Sequence, residues 1–103
     1  MPTSKLVYLA PAAHNMEEIV KFHIANVGPA SARKVYAAMV DTINRLADFS
    51  LLGQTHPDPV LVENGFRKLM LTKTYAAVYK VIGDTVYIYR IVNGRTDYPR
   101  LLK

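Results

Sequence analysis

Tyr75-Ala76-Ala77-Val78-Tyr79-Lys80-Val81-Ile82, then Gly83-Asp84, then Thr85-Val86-Tyr87-Ile88-Tyr89-Arg90-Ile91-Val92 is the stretch that decides how this chain is built. Two runs rich in β-branched and aromatic residues, separated by two residues, read as a β-hairpin. Gly83 supplies the positive φ that so short a turn demands. The chain leaves the hairpin through a compact basic tail, Asn93-Gly94-Arg95-Thr96-Asp97-Tyr98-Pro99-Arg100.

Immediately upstream, residues 66–73 form another strand candidate, close enough in sequence to make an antiparallel meander with the hairpin. Alternation puts Arg67, Leu69, Leu71 and Lys73 on one face of it, and Phe66, Lys68, Met70 and Thr72 on the other. In the last strand Tyr87, Tyr89 and Ile91 oppose Val86, Ile88, Arg90 and Val92, so neither face is cleanly polar. An apolar face left open in this way marks a binding surface, and a partner protein is its natural occupant.

Further upstream, Gly53, Pro57, Asp58 and Pro59 break the pattern between about 50 and 64, which reads as an irregular loop. Before it, Ala32, Val35, Tyr36, Met39, Ile43, Leu46 and Ala47 recur at helical spacing as one apolar stripe. Met16, Ile19, Val20, His23 and Val27 do the same with Asn15 as N-cap, and Glu17 and Glu18 suit the positive end of that helix's dipole. Gly28 stops the first helix and Pro29 opens the second, a connection short enough to force an antiparallel helical hairpin. Leu6-Val7-Tyr8-Leu9 is a short N-terminal strand that Pro11 ends. The resulting order, β-α-α-β-β-β, segregates its elements and predicts an α+β fold in which the helical hairpin packs on an antiparallel β-sheet.

At 103 residues the chain is expected to form a single domain, 1–103, with half of its residues apolar. The absence of cysteine excludes disulfides, a thiolate nucleophile and cysteine-ligated zinc. The N-terminus shows no long apolar segment, so neither a signal peptide nor a membrane span is expected, and the predicted location is the cytoplasm. Of the formal charge of +5, the last forty residues carry +6 and the rest −1: Arg67, Lys68, Lys73, Lys80, Arg90, Arg95, Arg100 and Lys103 face only Asp84 and Asp97 among those forty. Such a field attracts anionic partners and weakens with salt.

His14, His23 and His56 lack the spacing of a metal site, and no phosphate-binding loop or nucleophile motif is present, so neither metal nor cofactor is expected. His23 lies on an apolar stripe and reads as a packed or hydrogen-bonded side chain. Tyr75, Tyr79, Tyr87 and Tyr89 read as packing groups rather than base-stacking ones. Asp97 reads as the partner of a nearby arginine.

The helical hairpin, Gly65-Phe66-Arg67-Lys68-Leu69, the final hairpin and the tail carrying Gly94-Arg95 and Asp97-Tyr98 together resemble the RelE/ParE superfamily of bacterial toxins, in particular its plasmid-stabilisation, ParE-like branch. The resemblance covers nearly the whole chain. It implies a growth-inhibiting toxin of a type II toxin-antitoxin system, neutralised by a cognate antitoxin protein that the open sheet face receives. It implies as target either DNA gyrase, poisoned without catalysis, or the ribosome and its mRNA, cleaved in the RelE manner. A degenerate, non-toxic binding module is the third reading. Cleavage needs a base, an acid and cations around the phosphorane. For an mRNA interferase the resemblance names Arg67, Arg95 and Tyr98 as catalytic, while Leu69 and Ala76 stand where a second lysine and an arginine are expected. Lys68, Lys80, Arg90, Arg95 and Arg100 are the expected target- or antitoxin-binding cations. The missing cations and the ordinary tyrosine pKa of about 10 tilt the expectation towards the non-catalytic, gyrase-directed branch.

Overall fold

The computed structural model describes residues 3–94. Its elements run β1 (Lys5–Tyr8), α1 (Ala10–Asn26), α2 (Pro29–Asn44) with a 3₁₀ turn at Arg45–Ala47, β2 (Gln54–Thr55), α3 (Pro59–Glu63), β3 (Arg67–Met70), β4 (Tyr75–Ile82) and β5 (Thr85–Asn93). The five strands form one sheet in the order β1-β5-β4-β3-β2. This is the expected α+β architecture. The sheet is mixed, however, because β1 pairs with β5 in parallel, Lys5 opposite Thr85 and Tyr8 opposite Ile88. The helical hairpin returns the chain to the end where β1 starts, where the Ser4 amide donates to the Ala47 carbonyl at 2.7 Å. The meander then lays β5 alongside β1 in the same direction.

Gly83 has φ +62°, and Asp84 does not share that sign, the pattern of a type II′ turn whose twist matches the strands it joins. Gly28 ends α1 by donating to the His23 carbonyl, and Pro29 occupies the first turn of α2. The first helix starts earlier than its sequence suggests, at Ala10, with Pro11 inside its first turn rather than simply ending the strand. Asn15 therefore caps no helix. Its side-chain oxygen accepts from the Ile91 amide at 3.1 Å, a group on the flank of β5 beyond the end of β1 and without a strand partner there.

Helices α1 and α2 cover one face of the sheet. Met16, Met39, Ile43 and Leu46 pack there against Ala77, Tyr79, Val86, Ile88 and Ile91. The shift in register between Val78 and Tyr79, which lie opposite Arg90 and Ile88, leaves Tyr89 as the extra residue of a β-bulge. The bulge overturns strict alternation in β5. Ile91 joins Val86 and Ile88 in the helix-side core, while Tyr89 and Arg90 both belong to the opposite face.

That opposite face is not open along its length. The expected loop contains β2 and α3, and β3 is correspondingly shorter, at Arg67–Met70. Asp58 accepts from the amides of Val60 and Leu61, and Pro59 starts the helix. Leu61 then closes a second core with Phe66, Ala76, Val78 and Val92, against which Tyr89 packs.

Candidate functional site

Three of the cations singled out in the sequence come together on the face opposite the long helices. Lys68 and Arg90 lie opposite Val78 from the two neighbouring strands, and Lys80 lies opposite Tyr87. The Lys80 ammonium stands 4.4 Å from the centroid of the Phe66 ring and 5.5 Å from that of Tyr89. The two rings meet edge to face at 4.9 Å, an arrangement that fixes the ammonium over the electron-rich ring. Lys68 donates to the Gly94 carbonyl at 3.5 Å, at the point where the chain passes towards its basic tail. No Asp or Glu lies within β3, β4 or β5, while α3, which covers part of this face, brings Asp58 and Glu63 to its edge.

Arg67 faces the other way. Its Nε and Nη2 donate to the Gly53 carbonyl at 3.0 and 2.6 Å, and Nη2 also reaches the Leu51 carbonyl at 3.3 Å. Beside it the fully buried Tyr79 hydroxyl accepts from the Gly53 amide at 2.9 Å and donates to the Ser50 carbonyl at 3.1 Å. A Cβ on Gly53 would stand 2.7 Å from both the Lys68 carbonyl and the Tyr79 hydroxyl, so only glycine allows the loop this close to the sheet. Arg67 is thereby committed to holding residues 51–53. Leu69 packs against the helix-side core and Ala76 is fully buried in the opposite one. Arg95, Tyr98, Arg100 and Asp97 lie outside the described residues.

His56, whose spacing marks it for no role, is 4% exposed. Its Nδ1 accepts from the Asp58 amide at 3.0 Å, so the ring is held neutral with its proton on Nε2. Burial pushes its pKa below the ordinary value, the charge of Lys68 adds to the shift, and Asp58 opposes it. The unfolded chain takes up this proton near pH 6.5 and the folded chain resists it. The His56 contribution is therefore fully present above pH 6.5 and is lost as the pH falls towards its lowered folded value. Denaturant titrations of the parent and His56→Asn between pH 7.5 and 5 should show a shallower loss of stability in the variant. Parallel curves would remove this account. His23 bridges three elements, Nδ1 to the Ser31 hydroxyl at 3.1 Å and Nε2 to that of Tyr75 at 3.3 Å, as its place on the stripe implied.

A concavity lies elsewhere again, along the seam of α1 and α2. A hollow of about 630 Å³ is lined by Tyr8, Met16, Val20, Lys21, Tyr36 and Val40 among others. A second, of about 450 Å³, continues past Ile24, Pro29 and Arg33 and shares Val20 and Tyr36 with the first. Tyr8 is held protonated there, its pKa raised by burial and then by the neighbouring Tyr36. Among the described residues no group of His, Cys, Asp and Glu side chains could hold a metal ion, and no helix is long and apolar enough to cross a membrane.

The sequence matches the profile of the ParE toxin of type II toxin-antitoxin systems, parDE, over residues 6–98. The chain belongs to the ParE toxin family. Its fold is similar to that of the chromosomal ParDE toxin-antitoxin system from P. aeruginosa, with a TM-score of 0.76, 24% identity, and coverage of 90% of this chain and 98% of that one. It is also similar to the toxin-antitoxin complex RelBE2 from Mycobacterium tuberculosis (0.64, 16% identity, 93% and 97% covered) and to a YoeB/ParE toxin from Agrobacterium tumefaciens (0.59, 17% identity, 86% and 96% covered). Comparison with curated protein sequences gives no significant match.

Proposed function

We propose that this ParE-family toxin arrests growth by poisoning DNA gyrase through binding, without cleaving RNA, and that a cognate antitoxin neutralises it in the cytoplasm. The observation that carries the reading is the fate of Arg67. Its guanidinium is spent on the carbonyls of Gly53 and Leu51, and the other two positions where phosphorane-stabilising cations would be needed hold Leu69, packed against the helix-side core, and Ala76, buried in the opposite one. The match to the ParE toxin profile supports it. The antitoxin's place is the seam between α1 and α2, in preference to the sheet face expected from alternation. The seam offers an apolar hollow, whereas Leu61 of α3 already covers part of the sheet.

A ribosome-dependent mRNA interferase is the rival, and the cluster of Lys68, Lys80 and Arg90 on one face is the observation in its favour. Inducing the chain alone in a bacterial host, while mapping transcript 5′ ends and assaying gyrase-linked DNA breaks, separates the two. Arrest with intact transcripts and trapped gyrase–DNA complexes is the expected result. New 5′ ends within translated frames, with DNA topology unchanged, would reverse the assignment.

A further inference from the structure

Four tyrosines of the final hairpin read as packing groups, and in the fold three of them are. Tyr79 is buried with its hydroxyl between Ser50 and Gly53, Tyr75 bonds His23, and Tyr89 meets Phe66 edge to face. Tyr87 differs. It lies opposite Lys80 of β4 on one side and Val7 of β1 on the other, on the sheet face turned away from the long helices. Val7 is 37% exposed, and Ile82 at the end of β4 is 58% exposed. Leu61 of α3 packs with Ala76, Val78 and Val92 at the other end of this face, so among the described residues the end at Tyr87 stays uncovered. Among them, too, the half-buried Tyr87 ring meets no other ring and no cation, and its hydroxyl has no partner.

The cations beside it lack counter-ions. Lys80 stands over the Phe66 ring at 4.4 Å, and Arg90 lies diagonally across from it on β5. Neither meets a carboxylate among the described residues. The acidic groups sit at the margins, Asp84 in the β4–β5 turn and Asp58 and Glu63 at the two ends of α3. An accessible ring next to unpaired cations is what unpaired nucleotides seek, bases stacking on the ring while the cations take the phosphates. A duplex keeps its base faces hidden, and an acidic peptide has none to offer.

We infer that the sheet face around Tyr87 holds a segment of single-stranded DNA, one base on the Tyr87 ring and the neighbouring phosphates on Lys80 and Arg90. Adjacent strands lie about 4.8 Å apart, which puts the two cations within reach of one backbone. The site goes beyond the gyrase reading, which calls only for a protein target, and no bond is made or broken there. The choice of DNA over RNA rests on that reading, whereas the stacking chemistry does not. The site shares no residue with the α1–α2 seam, so an antitoxin seated in the seam leaves it open.

The test is fluorescence anisotropy of the purified toxin with a labelled oligothymidylate, the same length of duplex, and the RNA equivalent, each variant being melted beforehand. The parent should bind the DNA single strand best and lose at least about sevenfold in affinity between about 50 and 200 mM salt, as two phosphate contacts require. Tyr87→Val should bind about 10-fold more weakly with an unchanged salt slope, and Tyr87→Phe, which keeps the ring, should bind as the parent does. Lys80→Gln and Arg90→Gln should each shallow the slope by about 0.7. Lys34→Gln removes the same charge from an exposed position on α2 and should change nothing. Absence of binding at low salt would overturn the inference, as would a duplex bound equally well, a Tyr87→Val variant like the parent, or an equal loss in Lys34→Gln. Equal competition by polyglutamate would assign the face to acidic protein segments, and tighter binding or cutting of the RNA would assign it to messages; either overturns it too. Gyrase is absent from the assay, so a toxin that holds the strand but leaves gyrase alone in cells sinks the gyrase reading and not the site.

Discussion

Gly53→Ala should destabilise the fold by about 3 kcal/mol, more than its size suggests. The added methyl would stand 2.7 Å from the Lys68 carbonyl and 2.8 Å from Cε1 of Tyr79. The first obstacle is backbone of β3 and the second is a ring with no exposed surface, so neither yields cheaply. Moving the loop away is no remedy. It would strip the Tyr79 hydroxyl of its Gly53 and Ser50 partners and the Arg67 guanidinium of its carbonyls, and buried polar groups left unpaired cost about 1–3 kcal/mol each. A thermal melt followed by circular dichroism should show a fall in Tm of more than about 10 °C. A Tm within about 2 °C of the parent would mean that residues 50–53 are not clamped to the sheet.

Leu61→Ala should cost about 3 kcal/mol, and the damage should be local. Five residues cannot hold a helix in isolation, so α3 depends on Leu61 in its pocket of Phe66, Val78 and Val92, on the Asp58 cap, and on His56 beneath the turn. With Leu61 truncated, amide exchange should accelerate across residues 59–66 before it does in β4 or β5. Phe66 would lose its cover, and Lys80 its fixed position over that ring. Uniform acceleration through the sheet would instead show that the second core is inseparable from the first.

The parts of the fold legible in the sequence are those written in local chemistry. The last hairpin announces itself through β-branched runs around Gly83-Asp84, and the helical hairpin through Gly28-Pro29. Three features escape for physical reasons. The bulge at Tyr89 leaves Val86, Ile88, Arg90 and Val92 in unbroken alternation, so nothing marks the point where faces exchange. Four residues of β1 carry no information about the direction of a partner far along the chain. Asp58-Pro59 does signal a helix start, but five residues give no periodicity to confirm it. The candidate site divides similarly. The Lys68 and Lys80 positions follow from strand alternation. The hold of Arg67 on loop carbonyls is invisible to any spacing rule, and Asn15 reads as an N-cap in sequence because nothing local reveals that its acceptor serves the distant Ile91 amide.

The parallel pairing of β1 with β5 joins the first of the described strands to the last of them. Contacts between such distant segments close the longest loop available and so form late. As the chain leaves the ribosome, its N-terminal strand waits without a neighbour until the final hairpin has emerged. Among the described residues, the sheet is therefore closed only after the last hairpin has left the ribosome.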